Sequence, residues 1–585
     1  MSWFPRRRRR PRLATYPLPV TAPTRPDLSV AVILDPFSEL ALGYEWAQVT
    51  FGPDDWEQVL GRQRPDLLFV ESAWQGNAGR WRLHMTREDR PSDELRALVA
   101  WCRSEGIPTV FWNKEDPPNY DKFLETARLF DQVFTVDADR IPDYRRDLQH
   151  DRIELLPFAA QPRIHNPVRR LRGRPYDVAF AGTWFAQKHP ERREQMEYVL
   201  GPAIEHDLHI WSRMQKGDRR YRFPRPYRRY VVGSLPYERM LAAYTAYKVF
   251  LNVNSVTGSK TMCSRRLFEL SAAQTAVVSA PAASIEPFFG TTVTVVEDAD
   301  QTRAALDLLL TEDDVRDRIA LQAHRHVFDD HTYSLRVDTV LRSIGIEPLG
   351  RDSRTTTVSA VVPTRRPEQL DHVLHAVGSQ SHRALELVLV THGFVLDEDD
   401  VRRRAEAAGV PSVTVFPADA GLTLGACLNL GVDVAAGDLV AKMDDDNFYG
   451  THYLTDLVRA LDYSGADVVG KWAHLVLLEG SGETLLRFGH AEHRFVEQVQ
   501  GGTLLMRRSL AERIGFEDLP RSVDTTFLAK VRAAGHTVYA ADRFNFVSVR
   551  RADTGSHTWP ISDKEIMARS SRLLFHGDPI SHAEV

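Results

Sequence analysis

Three consecutive aspartates, Asp444, Asp445 and Asp446, followed by Asn447, are the residues whose types and spacing most directly suggest chemistry. The residues before them, Ala436-Gly437-Asp438-Leu439-Val440-Ala441-Lys442-Met443, read as a turn leading into a strand. Alternate side chains of an extended chain share a face, so Asp444 and Asp446 point one way and Asp445 the other. Two carboxylates converging at a strand end repel each other unless a cation sits between them. Oxygen ligands suit Mg²⁺ or Mn²⁺, which complete their shells with water and substrate phosphates. An ion held there would bridge a diphosphate and neutralise charge on a departing nucleoside diphosphate. Acidic triplets are common in exposed turns, so the context matters more than the triplet. Here a buried-looking strand precedes it, and Leu454, Leu457, Val458 and Leu461 open an amphipathic helix after it.

The elements that must position these acids alternate between short apolar runs and helical patterns. A unit opens with the strand Val358–Pro363, and Leu370, Val373, Leu374 and Val377 then give one apolar face to a helix over 367–380. Leu387–Val390 and Val413–Phe416 follow as strands. Earlier in the chain the strands are expected at Val30–Leu34, Leu67–Val70, Thr109–Trp112, Val133–Val136 and Ile153–Phe158. A second series is expected at Val178–Ala181, His209–Trp211, Val249–Val253, Ala276–Ser279 and Val293–Val296. Strand–helix alternation of this kind predicts parallel sheets covered by helices on both faces.

Residues 358–545 resemble a family 2 glycosyltransferase of the GT-A fold. The resemblance rests on Val361-Val362-Pro363-Thr364-Arg365-Arg366-Pro367, Gly425-Ala426-Cys427-Leu428-Asn429, Asp444–Asp446, Gly501-Gly502-Thr503 and Val523-Asp524, in that order. It implies that Pro363, Thr364 and Arg365 line a nucleotide pocket, with His392, Asn429, Asp444 and Asp445 also on the nucleotide-sugar. It also implies a metal, Mn²⁺ or Mg²⁺, on Asp444, Asp446 and the late His557. Asp524 matches the carboxylate that activates the acceptor: a sugar hydroxyl is a poor nucleophile until a base takes its proton, and displacement then inverts the anomeric carbon. The alternative for Asp524 is a helix N-cap, since 525–531 looks helical. The chain departs from the family pattern in two places. Thr391-His392-Gly393 stands where an acidic pair often recognises the base, which leaves UDP only a default, and Val523 stands where Glu commonly precedes the catalytic Asp.

The first half has no DxD in a comparable context, no P-loop and no GxGxxG. Phe111-Trp112-Asn113-Lys114-Glu115-Asp116-Pro117 puts charged groups at a strand end, where α/β sheets bind ligands. In a second stretch the strand ending at Asn252-Val253-Asn254 leads through Gly258 to Ser264, a candidate helix cap. Free amides there, with Arg265 or Arg266, could hold a diphosphate without a metal, and Glu269 could accept from ribose hydroxyls. These stretches resemble family 1-like glycosyltransferases that include the spore maturation protein CgeB. Phe180-Ala181-Gly182-Thr183-Trp184, with Lys188 and Arg192 following, and Ile285-Glu286-Pro287-Phe288-Phe289 share the likeness. It implies a GT-B arrangement over residues 28–342, with Gly182, Thr183 and Lys188 joining Arg265, Arg266 and Glu269 at a nucleotide. His324, His326 and His331 lack a compact ligand pattern and read as a solvated helix end.

The expected fold class is therefore α/β: a GT-B-like pair of Rossmann-like domains followed by a GT-A, nucleotide-diphospho-sugar transferase domain. The boundaries are a disordered basic, Pro-rich tail over 1–26, Rossmann-like domains over 27–166 and 167–347, a linker over 348–356 and the GT-A domain over 357–585. The tail holds Arg6 to Arg10 and Arg12, and contact with an anionic lipid or polymer is the alternative to a free tail.

The 585 residues carry a formal charge of -5, which argues against nucleic acid as a bulk partner. Cys102, Cys263 and Cys427 form no CxxC pair and fit a reducing compartment. No apolar run approaches the ~18 residues of a membrane span. The expectation is a soluble cytoplasmic protein, with the inner membrane face as a peripheral location, that transfers sugar from a nucleotide-sugar to a glycan or cell-envelope polysaccharide. It would do so as a two-module enzyme whose GT-A domain is metal-dependent and whose GT-B half could be a second, metal-independent transfer site. Rival expectations are one active GT-A domain beside a non-catalytic acceptor-binding half, a carbohydrate- or nucleotide-binding scaffold, and a metal-dependent nucleotidyltransferase.

Overall fold

The computed structural model describes residues 10–87, 90–187, 190–214, 217–348, 355–552 and 563–585. The chain divides into two compact units, Met1–Gly350 and Arg351–Val585. Most of the segment expected as a linker, 349–354, lies outside the described residues.

Unit 1 is built on two parallel sheets of six strands each. The first contains β1 (Arg25–Ile33), β2 (Trp46–Thr50), β3 (Leu67–Glu71), β4 (Thr109–Asn113), β5 (Gln132–Thr135) and β6 (Ile153–Leu155). Its order is β2-β1-β3-β4-β5-β6. Every residue of β3 and β4 is buried, because helices cover both faces of a parallel sheet. The second contains β7 (Tyr176–Gly182), β8 (Leu208–Ser212), β9 (Val231–Gly233), β10 (Tyr247–Asn252), β11 (Ala276–Ser279) and β12 (Thr294–Val295). Its order is β12-β11-β10-β7-β8-β9, the doubly wound order in which the winding reverses between β7 and β10.

The segment expected as a disordered tail is not free over its described part. Leu13 and Tyr16 are buried in the core of the second half, and the Tyr16 hydroxyl donates to the Ile164 carbonyl at 2.9 Å. Apolar residues spaced among prolines anchor the strand-less chain from Arg10 to Thr24, and Arg25 already belongs to β1. Residues 1–9, with most of the arginine run, lie outside the described residues. The histidines near 330 also differ from expectation. Only His326 is exposed; His324 is buried against Phe328, 4.0 Å between ring centroids, and its Nδ1 lies 2.8 Å from the Ala272 carbonyl.

Unit 2 has one sheet of eight strands and one of five. Its strands are β13 (Val358–Thr364), β14 (Leu385–His392), β15 (Val413–Ala418), β16 (Leu439–Lys442), β17 (Phe448–Tyr449), β18 (Val468–Gly470), β19 (His474–Leu478), β20 (Glu483–Arg487), β21 (Arg494–Val496), β22 (Leu505–Arg507), β23 (Val538–Ala540), β24 (Phe546–Arg550) and β25 (Ser571–His576). The large sheet runs β15-β14-β13-β16-β22-β18-β23-β21, and the small one β17-β24-β19-β20-β25. β13 pairs parallel with both β14 and β16, so the winding reverses between β13 and β16. The Val361↔Lys442 register brings the loop after β13 beside the aspartates after β16. A helix, Leu424–Val434, makes close contacts at two residues that lack Cβ, with this sheet at Gly431 and with the Glu517 backbone at Gly425. A Cβ on Gly431 would stand 2.4 Å from Val361, and one on Gly425 would stand 1.7 Å from the Glu517 carbonyl oxygen.

Among the described residues no helix is long and apolar enough to cross a membrane. All three cysteines are free and buried.

Candidate functional site

The large sheet of unit 2 delivers its acids where open α/β sheets bind ligands, beyond the carboxyl ends of strands at a reversal of winding. β16 ends at Lys442, and Asp444, Asp445 and Asp446 follow, the last two in a turn. Asp445 is 5% exposed and turns inward. It accepts from the Thr364 hydroxyl and from the Arg366 guanidinium, which reaches it through Nε at 3.1 Å. Arg366 also donates to Asp446 Oδ2 at 2.8 Å. Burial works against the Arg366 cation, but Asp445 and Asp446 outweigh it and raise its pKa. The end of β13 is thereby fastened to the acidic loop.

Asp444 faces the other way. Its Oδ1 accepts from Lys442 Nζ at 2.7 Å, its Oδ2 from Asn447 Nδ2 at 3.2 Å, and its backbone N–H donates to the Tyr449 hydroxyl at 2.7 Å. Tyr449 is buried and its hydroxyl donates to the Gly502 carbonyl at 2.8 Å. Lys442, two residues before Asp444 on the same face, has a side chain 3% exposed. Its ammonium also donates to the Gly501 carbonyl at 2.9 Å and stands 3.3 Å from Asp524 Oδ1. Burial opposes that charge, yet Asp444 and Asp524 together hold the Lys442 pKa above its usual value.

Asp524 reaches this centre from the helix Val523–Ala533, in its first turn. The helix begins one residue before Asp524 and its cap position is Ser522, so Asp524 is not the N-cap. A carboxylate in a first turn faces the positive end of the helix. The backbone turn Gly501–Thr503 lies against both acids: a Cβ on Gly501 would sit 2.1 Å from Asp524 Oδ2, and one on Gly502 would sit 2.3 Å from Asp444 Oδ2. Desolvation raises the Asp524 pKa, Lys442 holds it back, and Asp444 adds to the rise.

Asp446 is raised first by desolvation and then by the charge of Asp444, against the pull of Arg366. Asp446 Oδ1 carries no hydrogen bond from the described residues. Like-charged oxygens close enough to perturb one another, one of them free, fit a hard divalent cation that takes its other ligands from water and phosphate. Among the described residues no group of three or more His, Cys, Asp and Glu is arranged to hold a metal without such help. His557, the third expected ligand, lies outside the described residues.

The remaining residues expected at the nucleotide divide. Pro363 and Thr364 end β13, and the Arg365 guanidinium lies against the His392 ring, with Nε 2.9 Å from Nδ1 and Nη2 3.0 Å from Nε2. Burial and then the neighbouring Arg365 lower the His392 pKa, so this ring is neutral near pH 7. Asn429 is not free for a nucleotide. Its amide donates to the Phe516 carbonyl at 2.9 Å and accepts from the Phe516 N–H at 2.8 Å, so it ties a helix to the chain before Asp524. Lys442, Tyr449 and Arg366 are the functional residues that sequence reasoning passed over. Period-two alternation does put Lys442 on the Asp444 face, which was the available signal.

In unit 1 Gly182 and Thr183 stand at the end of β7, and Lys188 lies outside the described residues. Glu269 is not available to a ribose. It is 1% exposed and accepts from Tyr237 at 2.6 Å and Tyr244 at 2.7 Å, while Arg265 Nε pairs with it at 3.0 Å. Burial alone would raise the Glu269 pKa, but Arg265 and these donors hold it below its usual value. Arg265 is correspondingly committed to Glu269 and packs over the Phe37 ring at 3.9 Å. Ser264 makes no side-chain cap bond. Arg266 remains at the end of β7, where it donates to the Ala181 carbonyl.

Comparison with known families gives the same division of the chain. Residues 185–342 match the family described as glycosyl transferase-like, and residues 359–492 match glycosyl transferase family 2. The chain carries a family 2 glycosyltransferase domain. Of the site above, the family 2 match spans the end of β13, the Arg365–His392 pair and the acidic loop, while Gly501, Gly502 and Asp524 lie beyond it. An uncharacterized glycosyltransferase of Nostoc sp. is 29% identical over 117 residues, 20% of this chain and 35% of that one. The chain thus spans about a third of the length of that relative. Among solved structures, the mannosyltransferase PcManGT from Pyrobaculum calidifontis, in complex with GDP-Man and Mn²⁺, is 18% identical, with a TM-score of 0.28 over 34% of this chain and 59% of that one. Residues 1–349 of S. aureus TarS, in complex with UDP-GlcNAc, are 18% identical, with a TM-score of 0.28 over 34% and 60%. TM-scores of this size are too low to carry ligands or mechanism to the family 2 domain of this chain.

Proposed function

We propose that unit 2 transfers a glycosyl group from a nucleotide-sugar to a hydroxyl of a glycan or polysaccharide, with inversion at the anomeric carbon. The observation that carries this reading is the placement of Asp524 and Asp444 on one short backbone turn, Gly501-Gly502, with the Lys442 ammonium between them. A base and a diphosphate-holding acid are thereby kept within one site, as in-line displacement requires.

Asp524 accepts the proton of the acceptor hydroxyl as that oxygen bonds to the anomeric carbon, and the bond from that carbon to the diphosphate oxygen breaks. Burial raises its pKa above the usual carboxylate value, which makes it a stronger base toward that proton. Asp444 and Asp446 would hold Mn²⁺ or Mg²⁺, which when bound neutralises charge on the leaving nucleoside diphosphate. Arg366 fixes the direction of Asp445 and Asp446, and Tyr449 fixes the backbone of Asp444. Pro363, Thr364, Arg365 and His392 face the donor side, and UDP is kept as the default nucleotide.

The commitment of Glu269 to Tyr237, Tyr244 and Arg265 favours one transfer site, in unit 2, with unit 1 binding an acceptor or a nucleotide. Release of nucleoside diphosphate from a panel of UDP-, GDP-, dTDP- and CDP-sugars, with Mn²⁺ and a mixed oligosaccharide acceptor, tests the reading. Activity confined to the metal-containing arms and absent from Asp444→Ala supports it. Metal-independent activity that survives Asp444→Ala removes it.

A further inference from the structure

Beside the turn Gly501–Thr503 stands an aromatic pair that the proposed chemistry does not use. Trp472 and Phe488 are stacked, with ring centroids 4.1 Å apart and planes 7° from parallel, yet both are only partly buried. Trp472 follows β18 and Lys471, and Lys471 is hydrogen-bonded to the residues on either side of Gly501 and Gly502. Its carbonyl accepts from the Gln500 N–H at 2.8 Å, and its N–H donates to the Thr503 hydroxyl at 2.9 Å. Trp472 also packs against the core to which Val523, Phe527, Leu528 and Val531 contribute from the helix that carries Asp524. The pair therefore borders the Asp524 side of the site.

Phe488 is strained in this place. Its backbone is left-handed, with φ 48°, and its N–H donates at 2.9 Å to the carbonyl of Ser570, which is left-handed too, with φ 54°. A bulky residue in that region is an outlier, and such strain collects at ligand sites. Two arginines stand beside the pair. Arg487, the register partner of Ser571, holds its guanidinium 4.7 Å from the centre of the Phe488 ring, and Arg569 immediately precedes Ser570. Arg569 is exposed and forms no ion pair among the described residues. Desolvation, then Arg550 and Arg569, lower the Arg487 pKa, so these cations are near enough to repel. Arg550 has an acid of its own, Asp563 at 3.8 Å. The negative face of an aromatic ring attracts the C–H bonds on one side of a sugar ring, and guanidinium forks match the paired oxygens of a carboxylate or phosphate.

We infer that Trp472, Phe488, Arg487 and Arg569 form an acceptor subsite for a sugar ring that bears an anionic group, a uronate carboxylate or a sugar phosphate. The subsite rests on the reading of unit 2 as the transferring unit with Asp524 as its base. The sugar ring lies along the aromatic pair, its charge meets the two arginines, and the acceptor hydroxyl is directed toward Asp524.

Calorimetric titration of the full chain tests this, with Mn²⁺ and a mixture of UDP, GDP, dTDP and CDP present so that the donor side is filled. The probes are oligogalacturonides, phosphorylated manno-oligosaccharides, and neutral manno- and gluco-oligosaccharides; the two acidic arms tell carboxylate from phosphate. The expected result is binding of an acidic probe, weakened roughly ten- to hundredfold by Trp472→Ala and by Phe488→Gly, and about tenfold by Arg569→Ala. Glycine suits the left-handed backbone at 488, and Arg569→Ala removes only an exposed side chain, so the Tm of these variants separates lost binding from lost folding. Release of nucleoside diphosphate from the donor panel by the wild type is measured in parallel. Release with Mn²⁺, but no binding of either acidic probe, or binding unchanged in Trp472→Ala and Arg569→Ala, overturns the subsite and leaves the reading of unit 2 standing. Neutral probes binding as tightly as acidic ones overturns the ligand class. Acidic-probe binding that Arg569→Ala weakens, in a chain that releases no nucleoside diphosphate from any donor, keeps the sugar site and overturns the reading of unit 2.

Discussion

Asp524 and Asp444, 80 residues apart in sequence, are bridged by a single ammonium: Lys442 Nζ stands 3.3 Å from one carboxylate and 2.7 Å from the other. The bridge sits on the carbonyl of Gly501, so the strand end, the turn and the helix Val523–Ala533 form one rigid corner.

Glycine is required in that corner for space. Gly501→Ala would put a methyl 2.1 Å from Asp524 Oδ2, and Gly502→Ala would put one 2.3 Å from Asp444 Oδ2. Each substitution is expected to cost about 1–3 kcal/mol of stability, the usual range for overpacking. Each should lower kcat more than the loss of folded protein explains, because the displaced atoms are the carboxylates themselves. Urea titration alongside steady-state kinetics separates the two effects.

Replacing Asp524 by Asn keeps the shape of the side chain and removes the base. The expected loss in kcat is on the order of 10²–10⁴-fold, the range for a positioned general base, with donor KM nearly unchanged. Equal kcat in Asp524→Asn, measured with saturating donor and acceptor, would show that the acceptor proton leaves by another route.

Lys442→Met removes a buried charge and leaves two acids facing each other. Breaking a fully buried pair costs roughly 3–5 kcal/mol, and the partial exposure of Asp444 and Asp524 lowers the expectation to roughly 2 kcal/mol. Chemical denaturation of the two proteins checks this. A variant as stable as wild type would mean that solvent, not Lys442, satisfies the two carboxylates.

Unit 1 carries a pH signature of its own. Asp116 is fully buried, and desolvation pushes its pKa up to about 7, against hydrogen bonds from Thr135 and Tyr144 and with some help from Asp137. Between the unfolded carboxyl value of about 3.9 and 7 the folded state binds the extra proton, so stability contributed by Asp116 falls as pH rises through that window. Denaturation midpoints measured from pH 5 to pH 8 should decline, and Asp116→Asn should flatten the decline. An identical slope in the variant contradicts the assignment.

The sequence was most legible where burial is two-sided. The apolar runs at Leu67–Val70 and Thr109–Trp112 lie within central strands, and those at Val30–Leu34 and Val249–Val253 overrun theirs by one residue, because a parallel sheet under two helix layers leaves an uninterrupted hydrophobic stretch. In unit 1 β2 and β9 were missed: both are edge strands, Gln48 interrupts the apolar pattern of β2, and β9 is only the three residues Val231–Gly233. The strand leading into the acidic corner was legible, and alternation put Lys442 on the face of Asp444. The turn at Asp445–Asp446 breaks the alternation, and Arg366 holds both of those acids. The corner's long-range partners were not legible, since nothing local in Lys442 or Tyr449 announces Gly501 or Gly502. Asn429 and Glu269 were misplaced for a shared reason. A polar residue in a motif reads as a ligand contact, yet here Phe516 in one case and two tyrosines with Arg265 in the other satisfy it from within.

The most direct test of the central claim is the thermal stability of the full chain with nucleotide-sugars, with and without Mn²⁺, in wild type and in Asp446→Ala. A donor at about 1,000 times its dissociation constant adds about 4 kcal/mol, which raises Tm measurably. The account predicts that at least one nucleotide-sugar raises Tm only when Mn²⁺ is present, and that Asp446→Ala abolishes that increment. The absence of any metal-dependent increment, or one that persists in Asp446→Ala, would contradict it.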